Sequence, residues 1–280
     1  MQIDPLTGAT TVVVGSRQDR PNLPSGTACP FCVGGLEAPE PYVVRAFTNR
    51  FPAMPDERCE VVLYTSDHDA SFSSLGVKGA HRVVDLWADR SSALGARDHV
   101  AYVLVFENRG AEVGATIDHP HGQIYAFDEV PPGPAREGDL QADRATPGDP
   151  RHVTTVGSWS AWAAAASAWP IDLRIASEAS VADLPSLADH ERGELAGLLV
   201  DVLGRLDNLY ERPLPYMLWF HQRPFDGNEW SGPPLHAHIV SPWRSAGVAR
   251  YIAAGELGSE VFFNPVSPES AAAALRVTAT

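Results

Sequence analysis

Apolar and polar residues alternate along 101-AYVLVFENRG-110 and again along 121-HGQIYAF-127, the period of a strand with one face buried. A second pair of such runs, 216-YMLWFHQRPFDG-227 and His236-Ala237-His238-Ile239-Val240, follows in the second half. Between them the spacing changes. Leu195, Leu198, Leu199, Val202, Leu203, Leu206 and Leu209 recur at helical intervals, which predicts a helix within residues 187–210. A weaker pattern of the same kind covers 77–94. Each half therefore reads helix, strand, loop, H-x-H, strand, an internal duplication. The expected joint is the polar, Pro- and Gly-rich stretch 128–152, which divides the chain into units 1–150 and 151–280. The fold class this implies is α+β, an antiparallel sheet with flanking helices in two related halves. The segment 159-WSAWAAAASAWP-170 is ambiguous by periodicity and reads as partly buried.

Composition narrows the function. With 280 residues, 44% of them hydrophobic, the chain can bury a substantial core. It carries 21 Lys and Arg against 35 Asp and Glu, a net charge of −14, which excludes a general polyanion binder and hence nucleic acid. No run of about 18 apolar residues argues for a membrane span, and the N-terminus lacks the form of a signal peptide, so the cytoplasm is expected. Three cysteines are too few for a disulfide framework, and a reducing compartment fits them.

Two of those cysteines form Cys29-Pro30-Phe31-Cys32. Two thiolates on a tight turn fit adjacent corners of a zinc tetrahedron, with a redox pair or an incidental pair as alternatives. Zinc needs two further ligands, for which His68, His81, His99 and His119 are the first-half candidates. In His119-Pro120-His121 the proline bends the path, so the two rings can serve different tasks: one on a metal, the other attacking phosphorus. Gln123 offers an amide hydrogen to a phosphoryl oxygen. The bland reading is a pair of hydrogen-bonded core histidines. Gly110 and Gly114, which permit close backbone approach, and Asn108 and Thr116, which offer hydrogen bonds, favour a phosphate site instead. His221, His236 and His238 form a second metal-like grouping, set against ordinary packing histidines. Cys59 reads as a small core hydrophobe.

The run ENRG, then G-x-T, then HPHGQIYAF resembles the active-site region of the galactose-1-phosphate uridylyltransferases, a branch of the histidine triad superfamily. The resemblance extends from 4-DPLTG-8 and 16-SRQDRP-21 through CPFC and 49-NRFP-52 to 235-LHAHIVSP-242. It implies a histidine-triad-like fold and a homodimer. It also implies a ping-pong exchange of a nucleoside monophosphate, uridine monophosphate by resemblance, between a nucleotide sugar and a sugar 1-phosphate. His121 would be the nucleophile and Gln123 its partner in transfer. Zinc would lie on Cys29, Cys32, His68 and His119, and a second zinc or iron ion on Glu137, His221, His236 and His238. Arg17 and Arg20 match phosphate-contacting arginines, Asn49 and Phe51 match nucleoside contacts, and Asn108, Gly114 and Thr116 lie in the phosphate region.

The likeness has departures. The spacing from Cys32 to His68 is short, and the C-terminal segment keeps Glu256 at a sugar-contacting position but has Gly255 and Phe262 where galactose-specific members carry Tyr and Gln. A nucleotide-sugar phosphorylase, or a transferase for another sugar or nucleotide, is therefore the nearest alternative. A zinc-stabilised nucleotide-binding protein without turnover is the non-enzymatic one. A histidine triad hydrolase fits less well, because Gln123 stands where that class has a third histidine.

Overall fold

The computed structural model describes residues 2–15, 29–210 and 212–279. After a short hairpin of β1 (Gln2–Ile3) and β2 (Thr10–Thr11), the first half supplies β3 (Arg45–Thr48), β4 (Cys59–Leu63), helix α1 (Gly76–Gly95), β5 (Tyr102–Arg109) and β6 (His121–Phe127). A connection with two single-turn helices, α2 (Pro132–Ala135) and α3 (Leu140–Asp143), leads to the second half. That half supplies β7 (His152–Val156), β8 (Trp159–Ala163), β9 (Ile171–Ser177), helix α4 (Asp189–Asn208), β10 (Tyr216–His221) and β11 (His236–Ser241). The chain ends with α5 (Ala254–Ser259) and α6 (Pro268–Val277).

Nine strands join in one sheet of order β3-β4-β6-β5-β10-β11-β9-β8-β7, with every neighbouring pair antiparallel. The series β3, β4, α1, β5, β6 recurs as β8, β9, α4, β10, β11, and the two copies meet where β5 pairs with β10. Both long helices lie on the same face and share one core, in which Trp87 and Val84 of α1 and Leu199 and Leu203 of α4 are buried with Val105, Ile124, Ile175 and Ile239 of the sheet. Burial of so many branched and aromatic side chains, each worth about 1.5–3 kcal/mol, holds the halves together. Among the described residues, no helix is long and apolar enough to cross a membrane.

Both predicted helices form: α1 extends one residue beyond 77–94 at each end, and α4 lies inside 187–210, two residues short of it at each end. The 159–170 segment is partly buried, as its sequence suggests: its first five residues form β8 and are wholly buried, while Ala165 and Ala166 are exposed. Trp159 faces the helices, while Trp162 packs on the opposite face with Leu140, Ala145 and Ala176. Burial on both faces erases the alternation that would have marked the strand.

The open face carries the chemistry. Along β6 burial alternates, with Gly122, Ile124 and Ala126 turned to the helices and His121, Gln123 and Tyr125 to the other side. Gly122 is required there: a Cβ would lie 2.1 Å from the Tyr64 hydroxyl oxygen, which packs in the helix layer. Beside it, buried Glu107 accepts a hydrogen bond from Tyr216 at 2.7 Å. Burial pushes the Glu107 carboxyl up to about 7, against the opposing pull of the Tyr216 hydroxyl and Arg109. A carboxyl whose folded pKa is raised favours the folded state most at low pH. That advantage is lost as pH rises from the unfolded carboxyl range, about 4, to about 7, at about 1.4 kcal/mol per unit. Glu107→Gln is expected to remove this slope. Denaturant titrations of both proteins between pH 5 and 8 should show the wild type losing stability relative to the variant as pH rises.

Candidate active site and metal centres

The HPH segment assigns its rings separately. His119 precedes β6 and is fully buried. Its Nε2–H donates to the Thr65 carbonyl at 2.8 Å, which leaves the Nδ1 lone pair facing Cys32 Sγ at 3.7 Å. His68 Nδ1 approaches the same sulfur at 3.5 Å, and the ligand atoms of Cys29, Cys32, His68 and His119 all lie within 4.8 Å of one another. Burial first, and the neighbouring Cys29 sulfur next, hold the Cys32 thiol above its ordinary range, so ionisation at this spot calls for a cation. Burial also lowers the His119 imidazole, favouring the neutral, metal-binding form. Two sulfurs and two imidazoles form the donor set that zinc takes in tetrahedral sites. His81 and His99 are elsewhere: His81 lies on α1 facing Asp189 at 3.3 Å, and His99 is in the left-handed turn before β5.

His121 opens β6 and its Nδ1–H donates to the His119 carbonyl at 2.8 Å. That bond places the proton on Nδ1 and the nucleophilic lone pair on Nε2. Three cavities meet at this ring. One, of about 260 Å³, is walled by Phe31, Leu36, Phe47, Phe51, Val61 and Ile117, with Asn49 and Gln123 at its polar end. A second, of about 290 Å³, is bounded by Asn108, Gly114, Thr116, Gln123 and Tyr125. The third, of about 370 Å³, runs from Asn108 past Asp118 to Asp69 and Ser71. Gln123 Oε1 accepts from Asn49 Nδ2 at 3.3 Å and from the Tyr125 hydroxyl at 3.4 Å, so its amide nitrogen is the end left to donate outward. Asn49 Oδ1 in turn accepts from the Phe51 amide at 2.8 Å, tying the NRFP turn to β6. Gly114 adopts φ +86°, a left-handed conformation suited to glycine, and ends the turn that carries Thr116 past His121.

Glu137, from the connection between halves, reaches the second histidine group. Its Oε2 lies 2.7 Å from His221 Nδ1 and 3.1 Å from His236 Nε2, and its Oε1 lies 3.1 Å from His238 Nε2. These four residues also bring their ligand atoms within 4.8 Å of one another. The buried His238 Nε2 has no aligned hydrogen bond despite that distance, which is how a ligand atom presents itself to an ion. His238 is pushed down to about 3, chiefly by burial, while Glu137 is held well below the carboxylate range by its three histidines against the opposing effect of burial. A carboxylate and three imidazoles suit zinc or iron.

The remaining expectations fall differently. Arg17 and Arg20 lie outside the described residues. Glu256 lines none of the three cavities at His121. Its carboxylate pairs with Arg250 and accepts from the Phe263 amide at 2.8 Å and the Ala253 amide at 3.1 Å, capping α5. Both oxygens are engaged within the segment.

The description "Galactose-1-phosphate uridyl transferase, N-terminal domain" matches residues 49–131, and its C-terminal domain matches 141–279. The chain belongs to the galactose-1-phosphate uridylyltransferase family. It is 34% identical to a galactose-1-phosphate uridylyltransferase of Thermotoga maritima, over 99% of this chain and 98% of that one. With one of Streptomyces lividans it is 35% identical, covering 99% of this chain and 86% of the relative. A solved uridylyltransferase superimposes with a TM-score of 0.85 at 26% identity, covering 99% of this chain and 97% of that one. An ADP-glucose phosphorylase from Arabidopsis thaliana shares the fold, with a TM-score of 0.77 at 22% identity over 93% and 92% of the two chains.

Against this uridylyltransferase frame, the sequence reading missed Phe31. Its ring lies 5.1 Å from the His121 ring and 5.9 Å from that of Phe47, and it forms one wall of the apolar cavity from between the two cysteines. A phenylalanine within a C-x-x-C gives no sequence signal of its own, because only the folded loop turns it toward β6. Tyr42, whose hydroxyl lies 2.9 Å from His119 Nε2, was missed because only the fold brings it there. Elemental analysis is expected to find metal in both clusters. Cys29→Ser should empty the first and leave the second filled, and Glu137→Ala should do the reverse.

Proposed function

We propose that this chain is a nucleotidyltransferase that passes a nucleoside monophosphate between sugar 1-phosphates through a covalent intermediate on His121. The observation that carries the reading is the His121 tautomer. With Nδ1–H given to the His119 carbonyl, the Nε2 lone pair stands at the junction of the apolar cavity and two polar ones. The nucleoside occupies the cavity of Phe31, Phe47 and Phe51. Nε2 attacks the α-phosphorus, the bond from phosphorus to the bridging oxygen breaks, and sugar 1-phosphate leaves with that oxygen. A second sugar 1-phosphate then attacks the phosphorus, the phosphorus–nitrogen bond breaks and His121 is restored.

Phosphoryl transfer demands positioning and charge stabilisation more than proton movement. The Gln123 amide, the Asn108 and Thr116 side chains and the backbone near Gly114 can supply hydrogen bonds to the α-phosphoryl oxygens. Arg17 and Arg20 would add the positive charge that a chain of net charge −14 otherwise withholds from a diphosphate. The cavity toward Asp69, Ser71 and Asp118 offers hydroxyl-accepting side chains to a sugar. Zinc fits Cys29, Cys32, His68 and His119 and would orient the HPH segment; a second zinc or iron fits the Glu137 group, which contributes no side chain to the cavities at His121. Galactose 1-phosphate and uridylyl transfer are suggested by the names of the relatives; UDP-glucose as the donor and a cytoplasmic homodimer as the assembly follow from the resemblance of the HPHGQ region.

Incubation with a panel of UDP-, ADP-, GDP- and TDP-sugars, read by intact mass, is expected to give a uridylyl adduct with UDP-glucose that His121→Ala abolishes. Addition of galactose 1-phosphate should discharge it. Discharge by inorganic phosphate alone would make the protein a phosphorylase. Failure of every nucleotide sugar to charge the wild type would rule out the mechanism.

A further inference from the structure

Three chain segments that are distant in sequence carry the reacting end of the molecule: the cysteine loop 29–32, the stretch 65–68 after β4, and the HPH entry to β6. One side chain outside all of them touches all three. The Tyr42 hydroxyl lies 2.7 Å from the Phe31 carbonyl, 2.9 Å from the Thr65 carbonyl and 2.9 Å from His119 Nε2. Its single proton goes to a carbonyl, of which Phe31 is the nearer. Its oxygen can accept from His119 Nε2–H, which also reaches the Thr65 carbonyl at 2.8 Å. The ring itself is packed against the small cluster of Phe31, Ala38, Val61 and Leu63 beneath the cysteine loop.

We propose that Tyr42 is a positioning residue that locks the metal loop to the nucleophile's strand. Its hydroxyl holds the Phe31 main chain, and so the wall of the nucleoside cavity, at a set height above His121. Through His119 Nε2 it fixes the ring whose other nitrogen faces Cys32 and whose own carbonyl orients His121. Metal binding, nucleoside binding and the direction of the attacking lone pair are then set by one junction. No other side chain among the described residues is hydrogen-bonded to both Phe31 and His119. The proposal rests on the nucleotidyl-histidine reading only for its catalytic half, since the bonds to the metal loop stand without it.

Tyr42→Phe keeps the ring and its packing and removes only the hydroxyl. Partners that orient a metal's ligands are typically worth about 10–100-fold in metal affinity or activity. The variant is therefore expected to lose metal from the cysteine cluster to a chelator such as EDTA at least about tenfold faster, with its melting temperature in the metal-loaded form close to wild type. Single-turnover charging by UDP-glucose should slow by a similar factor at saturation, with the half-saturating concentration little changed. Wild-type release and charging rates would overturn the proposal. So would faster release matched by a general loss of thermal stability, which marks a merely structural bond, or faster release with unchanged charging, which breaks the link to His121. If the wild type is not charged at all, the transfer reading falls, and the release comparison alone decides whether the hydroxyl clamps the metal loop.

Discussion

Everything in this molecule depends on the packing of α1 and α4 side by side against one face of a continuous antiparallel sheet. Two halves each bring one long helix, and their apolar faces are satisfied by each other, by the strands beneath and by α6. Covering one face completely commits the other to loops, metal clusters and cavities. The pleat of β6 then sorts neighbouring residues: Gly122 goes down against Tyr64, and His121 and Gln123 go up into the site. A strand end gives the reacting ring a rigid base, while the loops at 29–38, 65–71 and 110–118 shape what surrounds it.

The repeat also explains why the halves have different roles. His121 and His238 are each the second histidine of an H-x-H, His121 as the first residue of β6 and His238 as the third of β11. In the first half three cavities meet at the His121 ring. In the second, the connection between halves lays Leu140 and Ala145 over Trp162 and Ala176, with the Arg144 guanidinium 5.1 Å from the Trp162 ring, and delivers the Glu137 carboxylate to His238. Trp219 stacks on His238 with ring centroids 4.8 Å apart. The His238 imidazole is thus set among an aromatic ring, a carboxylate and two other histidines.

Much of this was legible from residue order alone. Helical spacing in 187–210, alternation in 101–110 and 121–127, and the repeated H-x-H are local patterns, and local patterns survive translation into structure because period and face are properties of short segments. The donor types at Cys29, Cys32, His119, His236 and His238 are likewise stated by the chain. Their partners were less visible. His68 and Glu137 are single residues in polar stretches, and the family resemblance, not spacing, picked them out; the fold then set each among its proposed co-ligands. For Glu256 the segment's own geometry engages both oxygens with Arg250 and backbone amides, a capping role that the residue's identity does not announce.

By itself, the sequence determined the two long helices, the strands that carry the H-x-H motifs and the strands before them, and which side chains are available for metal and phosphorus chemistry. Only the tertiary structure decided that the His119 ring and carbonyl serve two different neighbours, that Phe31 walls a cavity, and that Tyr42 joins three segments. Those relations depend on contacts across dozens of residues, set by how the loops fold back over the sheet, and no period within a short window encodes them.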